Sequence, residues 1–185
     1  MKYSLAGLET ERLKFRLLEW KDANEWIELF KEKGVVEFLG LSKIPTAEAQ
    51  NKYWFESNFF KYETNLGGMH VLINKSTGAM IGQAGLFVEQ IDGVQELEIG
   101  YSILPKYWNK GFATEAVIKC RDHAFEKNYA SSLISLVHID NTQSATVAIR
   151  NGMSINKQSV YKEMPVNVFR ITREKYEEMR FRKID

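Results

Sequence analysis

The chain has one cysteine, Cys120, among 185 residues, so no internal disulfide can staple it. It has almost no net charge, since 25 Lys and Arg face 24 Asp and Glu to leave +1. No bulk field therefore recruits nucleic acid or a membrane, and no basic patch interleaved with aromatics is present to read a nucleic acid. Long apolar runs are missing too. Nothing approaches the ~18 residues of a membrane span, and the opening Met1-Lys2-Tyr3-Ser4-Leu5 has no apolar run of an export signal. His70, His123 and His138 are not spaced with one another or with the cysteine as metal ligands, so no metal is expected. Two phosphate-binding signatures are also absent, the Gly-x-Gly-x-x-Gly of dinucleotide folds and the Gly-Lys-Ser/Thr ending of a P-loop. These exclusions leave a cytoplasmic enzyme or binding protein that needs no membrane, nucleic acid or metal.

What is present is ordinary globular material, 44% apolar and 26% charged. The length suits one domain, expected over residues 8–180, that buries about 70% of its unfolded surface. Arg12 to Leu18 alternates apolar and basic residues and reads as a strand. A helix follows from Trp20-Lys21-Asp22 to Lys33-Gly34, and a second from the N-cap Thr46 to about Tyr62. Val35 to Leu41 is apolar and short and has no assignment by pattern. Strands are expected at Met69–Ile73, Ala79–Glu89 and Glu96–Leu104, with Asp92-Gly93 as a hairpin turn. Next come a helix over Thr114–Lys127, a strand over Leu133–Ile139 and a helix over Gln143–Arg150. Two strands, Ser154–Tyr161 and Val166–Thr172, and a helix over Arg173–Arg180 finish the chain. Cys120 shares a helix face with Val117 and Ala124, which places it in the core.

One stretch organises the rest. After the strand ending at Leu104, Pro105 stops the ladder, Gly111 allows a tight turn, and a helix begins with small residues Ala113 and Ala116. The first N–H groups of that helix have no partner within it, and such a terminus attracts phosphate. On the preceding strand, Glu96 and Glu98 project from one face and are candidate bases. Aromatic residues of the second helix read as core, with Phe38 or Trp54 as candidates to line a substrate pocket.

Ile99-Gly100-Tyr101, Pro105 and the run Tyr107 to Ala116 resemble the acetyl-CoA loop of the GNAT superfamily of N-acetyltransferases. The likeness is to the branch of the ribosomal-protein N-terminal acetyltransferases RimJ and RimL. It extends from Leu8-Glu9-Thr10-Glu11-Arg12-Leu13 to about Tyr176. The superfamily pattern Gln/Arg-x-x-Gly-x-Gly/Ala is met at Gly111 and Ala113, while Trp108 stands at its first position.

The resemblance implies an α/β (α+β) fold: a mixed, mostly antiparallel sheet of about seven strands, flanked by four to five helices and splayed at the acetyl-CoA site. It implies that amides around Trp108, Asn109, Lys110, Gly111, Phe112, Ala113 and Thr114 hold the CoA pyrophosphate. Pantetheine would lie along Tyr101, Ser102 and Ile103, and Asn141 would hydrogen-bond it. Ser144 would stand near the CoA sulfur and protonate the leaving thiolate, with Glu98 and Glu163 as candidate acid–base residues.

The expected reaction is direct attack of a primary amine on acetyl-CoA. Deprotonating a lysine-like amine at neutral pH costs roughly 4–5 kcal/mol, against about 1 kcal/mol for an α-amine. With no outstanding base in the sequence, a protein or peptide N-terminus is the expected acceptor. A polyamine, an amino acid or an antibiotic amine is the alternative, and a catalytically silent acyl-CoA-binding domain is a third reading. The oligomeric state is open between monomer and homodimer.

Overall fold

The computed structural model describes residues 2–181. Seven strands form one sheet: β1 Leu13–Leu17, β2 Gly67–Asn74, β3 Met80–Ile91, β4 Val94–Ile103, β5 Ser132–His138, β6 Ser154–Tyr161 and β7 Met164–Thr172. Their order across the sheet is β1-β2-β3-β4-β5-β7-β6. Every neighbouring pair is antiparallel except β4 and β5, which run parallel. The α-helices among the described residues are α1 Ala23–Phe30, α2 Val35–Phe38, α3 Ala47–Glu63, α4 Phe112–Glu126, α5 Thr142–Arg150 and α6 Arg173–Phe181.

Period-two alternation divides the sheet into two cores. On β2, Leu72 faces one way and joins Leu86, Ile99, Ala116, Val117 and Cys120 under α4. Met69 and Val71 face the other way and pack with Trp26, Leu29, Phe30 and Phe55 of α1 and α3. Each such large apolar side chain contributes about 1.5–3 kcal/mol by leaving water. Cys120 is fully buried in the first core, and burial pushes its thiol pKa up.

Two expectations change. The sequence pattern supplies five helices; the sixth, α2, lies in the stretch without an assignment. The first helix ends early, at Phe30 with Lys31 as its C-cap, and Gly34, at φ 83°, is the N-cap of α2, an additional short helix beyond the expected one. The late strands are joined by a two-residue tip, Lys162-Glu163, with φ 48° and 65°. Positive φ at both central residues is the mark of a tight hairpin turn. Glu163 therefore sits on a hairpin tip rather than in a loop that could fold back over the sheet.

Close approach of β2 and β3 depends on glycine. A Cβ on Gly85 would stand 2.1 Å from the carbonyl oxygen of Gly68 and 2.8 Å from Cα of Met69. Backbone held in a ladder cannot yield there. Gly85→Ala is expected to destabilise the protein by about 1–3 kcal/mol, the usual cost of overpacking, read as a lower urea midpoint.

Candidate functional site

β4 and β5 pair at a single position, Glu98↔Ile134. Just beyond it, Ser135 Oγ donates to the carbonyl of Ile99 at 2.7 Å, and then no strand lies beside β4 on that side. At the other end of the gap, the amide of Leu104 donates to Ile81 of the β3 side. Alternation between these two points turns the N–H and C=O of Tyr101, and the N–H of Ile103, toward the open side. The carbonyl of Ile103 is already taken by the indole N–H of Trp108 at 2.6 Å. Ser102 alternates the other way, so its backbone serves the β3 ladder and only its side chain lines the gap. The result is a wedge whose edge offers free backbone to an extended ligand.

The wedge opens into a cleft of about 850 Å³ that runs through the sheet, from the N-terminus of α4 to the aromatic residues of α2 and α3. At the first end, Asn109 (φ 59°) and Gly111 (φ 80°) both have left-handed backbone. Among the described residues, none of the amides from Asn109 to Thr114 donates to an acceptor of the chain. Consecutive outward amides at a helix start make an anion-binding concavity. Trp108, Asn109, Gly111, Phe112, Ala113 and Thr114 line the cleft. Lys110 does not: its ammonium turns back to the carbonyl of Lys106 at 3.0 Å. The Phe112 ring points into the core, so only its amide can serve the concavity.

The loop is held from behind by the N-terminal segment, a role that the sequence pattern does not reveal. Glu115 accepts from the backbone N–H and the Nε of Arg12, and from the hydroxyl of Thr10. Arg12 Nη1 donates to the carbonyl of Lys110 at 3.0 Å, and its guanidinium lies 4.4 Å over the Phe112 ring. Burial alone would raise the Glu115 pKa, but Thr10 and Arg12 together hold the carboxyl below its usual range. Thr10, Arg12 and Glu115 all fall within the runs that carry the family resemblance. Only the fold shows that they meet.

Asn141 and Ser144 stand at the start of α5, across the wedge from β4. Asn141 Oδ1 accepts from the amide of Ser144 at 3.0 Å, so its oxygen acts as a helix cap and its amide nitrogen remains to donate to a ligand. The Tyr101 hydroxyl donates to the carbonyl of Ser144 at 2.7 Å and ties α5 to β4 across the gap. The Ser144 hydroxyl lines the cleft and makes no hydrogen bond among the described residues.

The three candidate carboxylates separate. Glu96 is bound by Arg170, with Oε1 2.6 Å from Nη2, on the β7 side. Glu163 is paired with Lys43 at 2.5 Å, its side chain 75% exposed, and it does not border the cleft. The structure thus does not bring Glu163 to the other candidates, because the tight hairpin tip carries it outward. Glu98 alone sits in the cleft, 7% exposed, accepting from the amide of Leu136 at 3.2 Å. Burial, reinforced by the nearby Glu89 carboxylate, pushes its pKa up to about 8. Glu89 is itself bound by Lys61 at 2.6 Å and by the Tyr161 hydroxyl at 2.8 Å. Phe38 and Trp54 both border this end. Phe38 meets the His138 ring at 5.2 Å, and the Trp54 indole donates to Gln83 at 2.9 Å. No group of three or more potential metal ligands occurs among the described residues, and none of their helices is long and apolar enough to cross a membrane.

Glu98 makes stability fall as pH rises. Between the ordinary carboxyl range and pH about 8, the unfolded chain ionises while the folded protein keeps the proton. The stabilisation is complete below that interval and lost across it. Glu98→Gln should therefore lose less stability than the wild type between pH 5 and 8.5, measured as the change in urea midpoint. Equal losses would show that the carboxyl does not titrate there.

Comparison with known proteins identifies the family and the fold. A family profile, the acetyltransferase (GNAT) domain, matches residues 12–154. YkkB of Bacillus subtilis (strain 168), an uncharacterised protein, is 28% identical over 163 residues, which are 88% of this chain and 93% of that protein. Among solved structures, an acetyltransferase from Agrobacterium tumefaciens superposes with a TM-score of 0.75 at 24% identity, covering 92% of this chain and 96% of that one. RimL, a ribosomal L7/L12 alpha-N-protein acetyltransferase in complex with coenzyme A, gives 0.68 at 15% identity, covering 90% and 97%. Spermidine N-acetyltransferase from Vibrio cholerae, in complex with CoA and spermine, gives 0.69 at 16% identity, covering 91% and 99%. The fold is thus shared by proteins whose names specify different acceptors. The chain belongs to the GNAT acetyltransferase family and is an acetyl-CoA-dependent acyltransferase.

Proposed function

We propose that this chain, as one domain over residues 8–180, transfers the acetyl group of acetyl-CoA to an α-amine, in the manner of the RimJ and RimL branch. A peptide or protein N-terminus is the acceptor, and the setting is the cytoplasm. The observation that carries this reading is the wedge beside β4, which opens next to unpaired amides on one side and a single buried carboxyl on the other.

In this reading the CoA pyrophosphate rests on the amides from Asn109 to Thr114, a loop shaped by Arg12 and Glu115. Pantetheine runs along the free edge at Tyr101 and Ile103, as an added strand, and meets the Asn141 amide. That places the thioester near Glu98 and Ser144. The amine nitrogen attacks the acetyl carbon, a C–N bond forms, and the C–S bond breaks. Most of the acceleration comes from holding the two reactants in line, and the outward N–H groups of β4 can stabilise the oxyanion. Ser144 passes a proton to the departing sulfur and regains one from solvent, while the nitrogen, positively charged after attack, sheds its proton to solvent at neutral pH. Glu98 is protonated below pH about 8, so it is a poor base at neutrality. It accepts the proton shed by the amine only as the pH approaches that value. An amine that is already partly neutral near pH 7 therefore suits the site best.

Two measurements test this. Gly111→Asp adds a side chain to a residue at φ 80° and a negative charge beside the amides; it should weaken CoA binding about tenfold or more by calorimetry. Unchanged affinity would remove the loop from the site. In a thiol-release assay with acetyl-CoA at about pH 7, peptides with a free N-terminus should exceed N-terminally blocked lysine peptides by roughly a few hundredfold in kcat/KM, the ratio set by the two amine pKa values. Preference for lysine side chains or spermidine would overturn the α-amine reading.

A further inference from the structure

The charged groups at the acceptor end of the cleft come from five elements. Lys33 lies between α1 and α2, Lys61 on α3, Glu89 on β3, Glu98 on β4, and Lys162 on the β6–β7 tip. Glu89 is consumed internally: one oxygen holds the Lys61 ammonium and the other the Tyr161 hydroxyl, and the Lys61–Glu89 pair is largely buried. Glu98 is buried, takes the Leu136 amide, and is uncharged at neutral pH. Lys33 and Lys162 remain at the rim, both exposed, and neither forms an ion pair with a carboxylate among the described residues. On the opposite, α5 side of the cleft, Asp140 and Arg150 balance each other in sign. The acceptor end is thus rimmed by surplus positive charge, although the whole chain carries only +1.

We infer that the acceptor end selects a monoamine that carries anionic groups next to the amine, and that it rejects polyamines. Resting on the α-amine reading above, this makes the acceptor a peptide or amino acid whose groups beyond the amine are carboxylates. The aromatic wall of Phe38 and Trp54 receives the uncharged part, the amine reaches the wedge by Glu98, and the carboxylates meet Lys162 and Lys33. A second ammonium on the acceptor would meet these lysines, and Glu89 cannot offset it while Lys61 holds it. Lys61 is in this sense a specificity residue: it withdraws the one ionised carboxylate that a dication could use.

The test compares two peptides with the same N-terminal alanine, followed in one by two glutamates and in the other by two lysines. Thiol release from acetyl-CoA is measured with each, and with spermidine, at low and high salt. The glutamate peptide should be favoured by about tenfold in kcat/KM at low salt, and the ratio should shrink as salt screens the rim. Lys162→Glu, on an exposed tip beside Glu163, should bring the ratio to about unity or invert it. Lys61→Met, which leaves Glu89 uncompensated, should raise kcat/KM for the lysine peptide several-fold. Equal use of the two peptides by the wild type, or an unchanged ratio in Lys162→Glu, overturns this inference and leaves the α-amine reading standing. Spermidine turned over faster than both peptides overturns both. CoA binding without thiol release from either peptide or from spermidine also removes the α-amine reading, and this inference with it.

Discussion

The architecture turns on a ladder that stops. β4 is hydrogen-bonded along its whole length on the β3 side, yet it meets β5 at one residue pair before the two diverge. A buried strand edge without partners is costly, because each unmet amide loses its water and gains nothing. The fold tolerates this edge because a cleft reaches it, and only partly leaves it bare. Ser135 fills the Ile99 carbonyl, the Trp108 indole fills that of Ile103, and the Tyr101 hydroxyl bridges to α5. What remains open is a short length of backbone centred on Tyr101, bordered above and below by fixed contacts.

The same parting of strands accounts for the electrostatics. Glu98 sits at the last paired position, where the sheet is still dense enough to exclude water and the gap is just beginning. Desolvation dominates its titration, and the neighbouring Glu89 adds to it. One turn of the alternation away, Glu96 forms an ion pair with Arg170. Two glutamates on one strand face thus differ in their partners: Glu98 takes the amide of Leu136, and Glu96 the guanidinium of Arg170.

Much of the fold was legible along the chain. Alternation located the strands, the stop at Pro105 and the turn at Gly111 located the loop, and the element order matched a known family. The unpaired amides at the start of α4 were also anticipated from a strand–turn–helix pattern. Other features had no local signal. The clamp of Thr10, Arg12 and Glu115 joins residues more than a hundred positions apart. The Lys61–Glu89–Tyr161 network joins α3, β3 and β6. Glu163 illustrates the reverse: its chemistry suits a base, but on the tight hairpin tip it is Lys162 that borders the cleft, while Glu163 points away to Lys43.

By itself, the sequence determined which residues alternate, where the ladder must end and where a helix must begin, since these follow from steric and hydrogen-bonding rules acting within a few residues. Only the tertiary structure decided which carboxyl is buried, which lysine is spent on a partner and which is left at the rim. Those outcomes depend on what distant segments bring into contact, and charge and solvation are properties of that contact rather than of any residue alone.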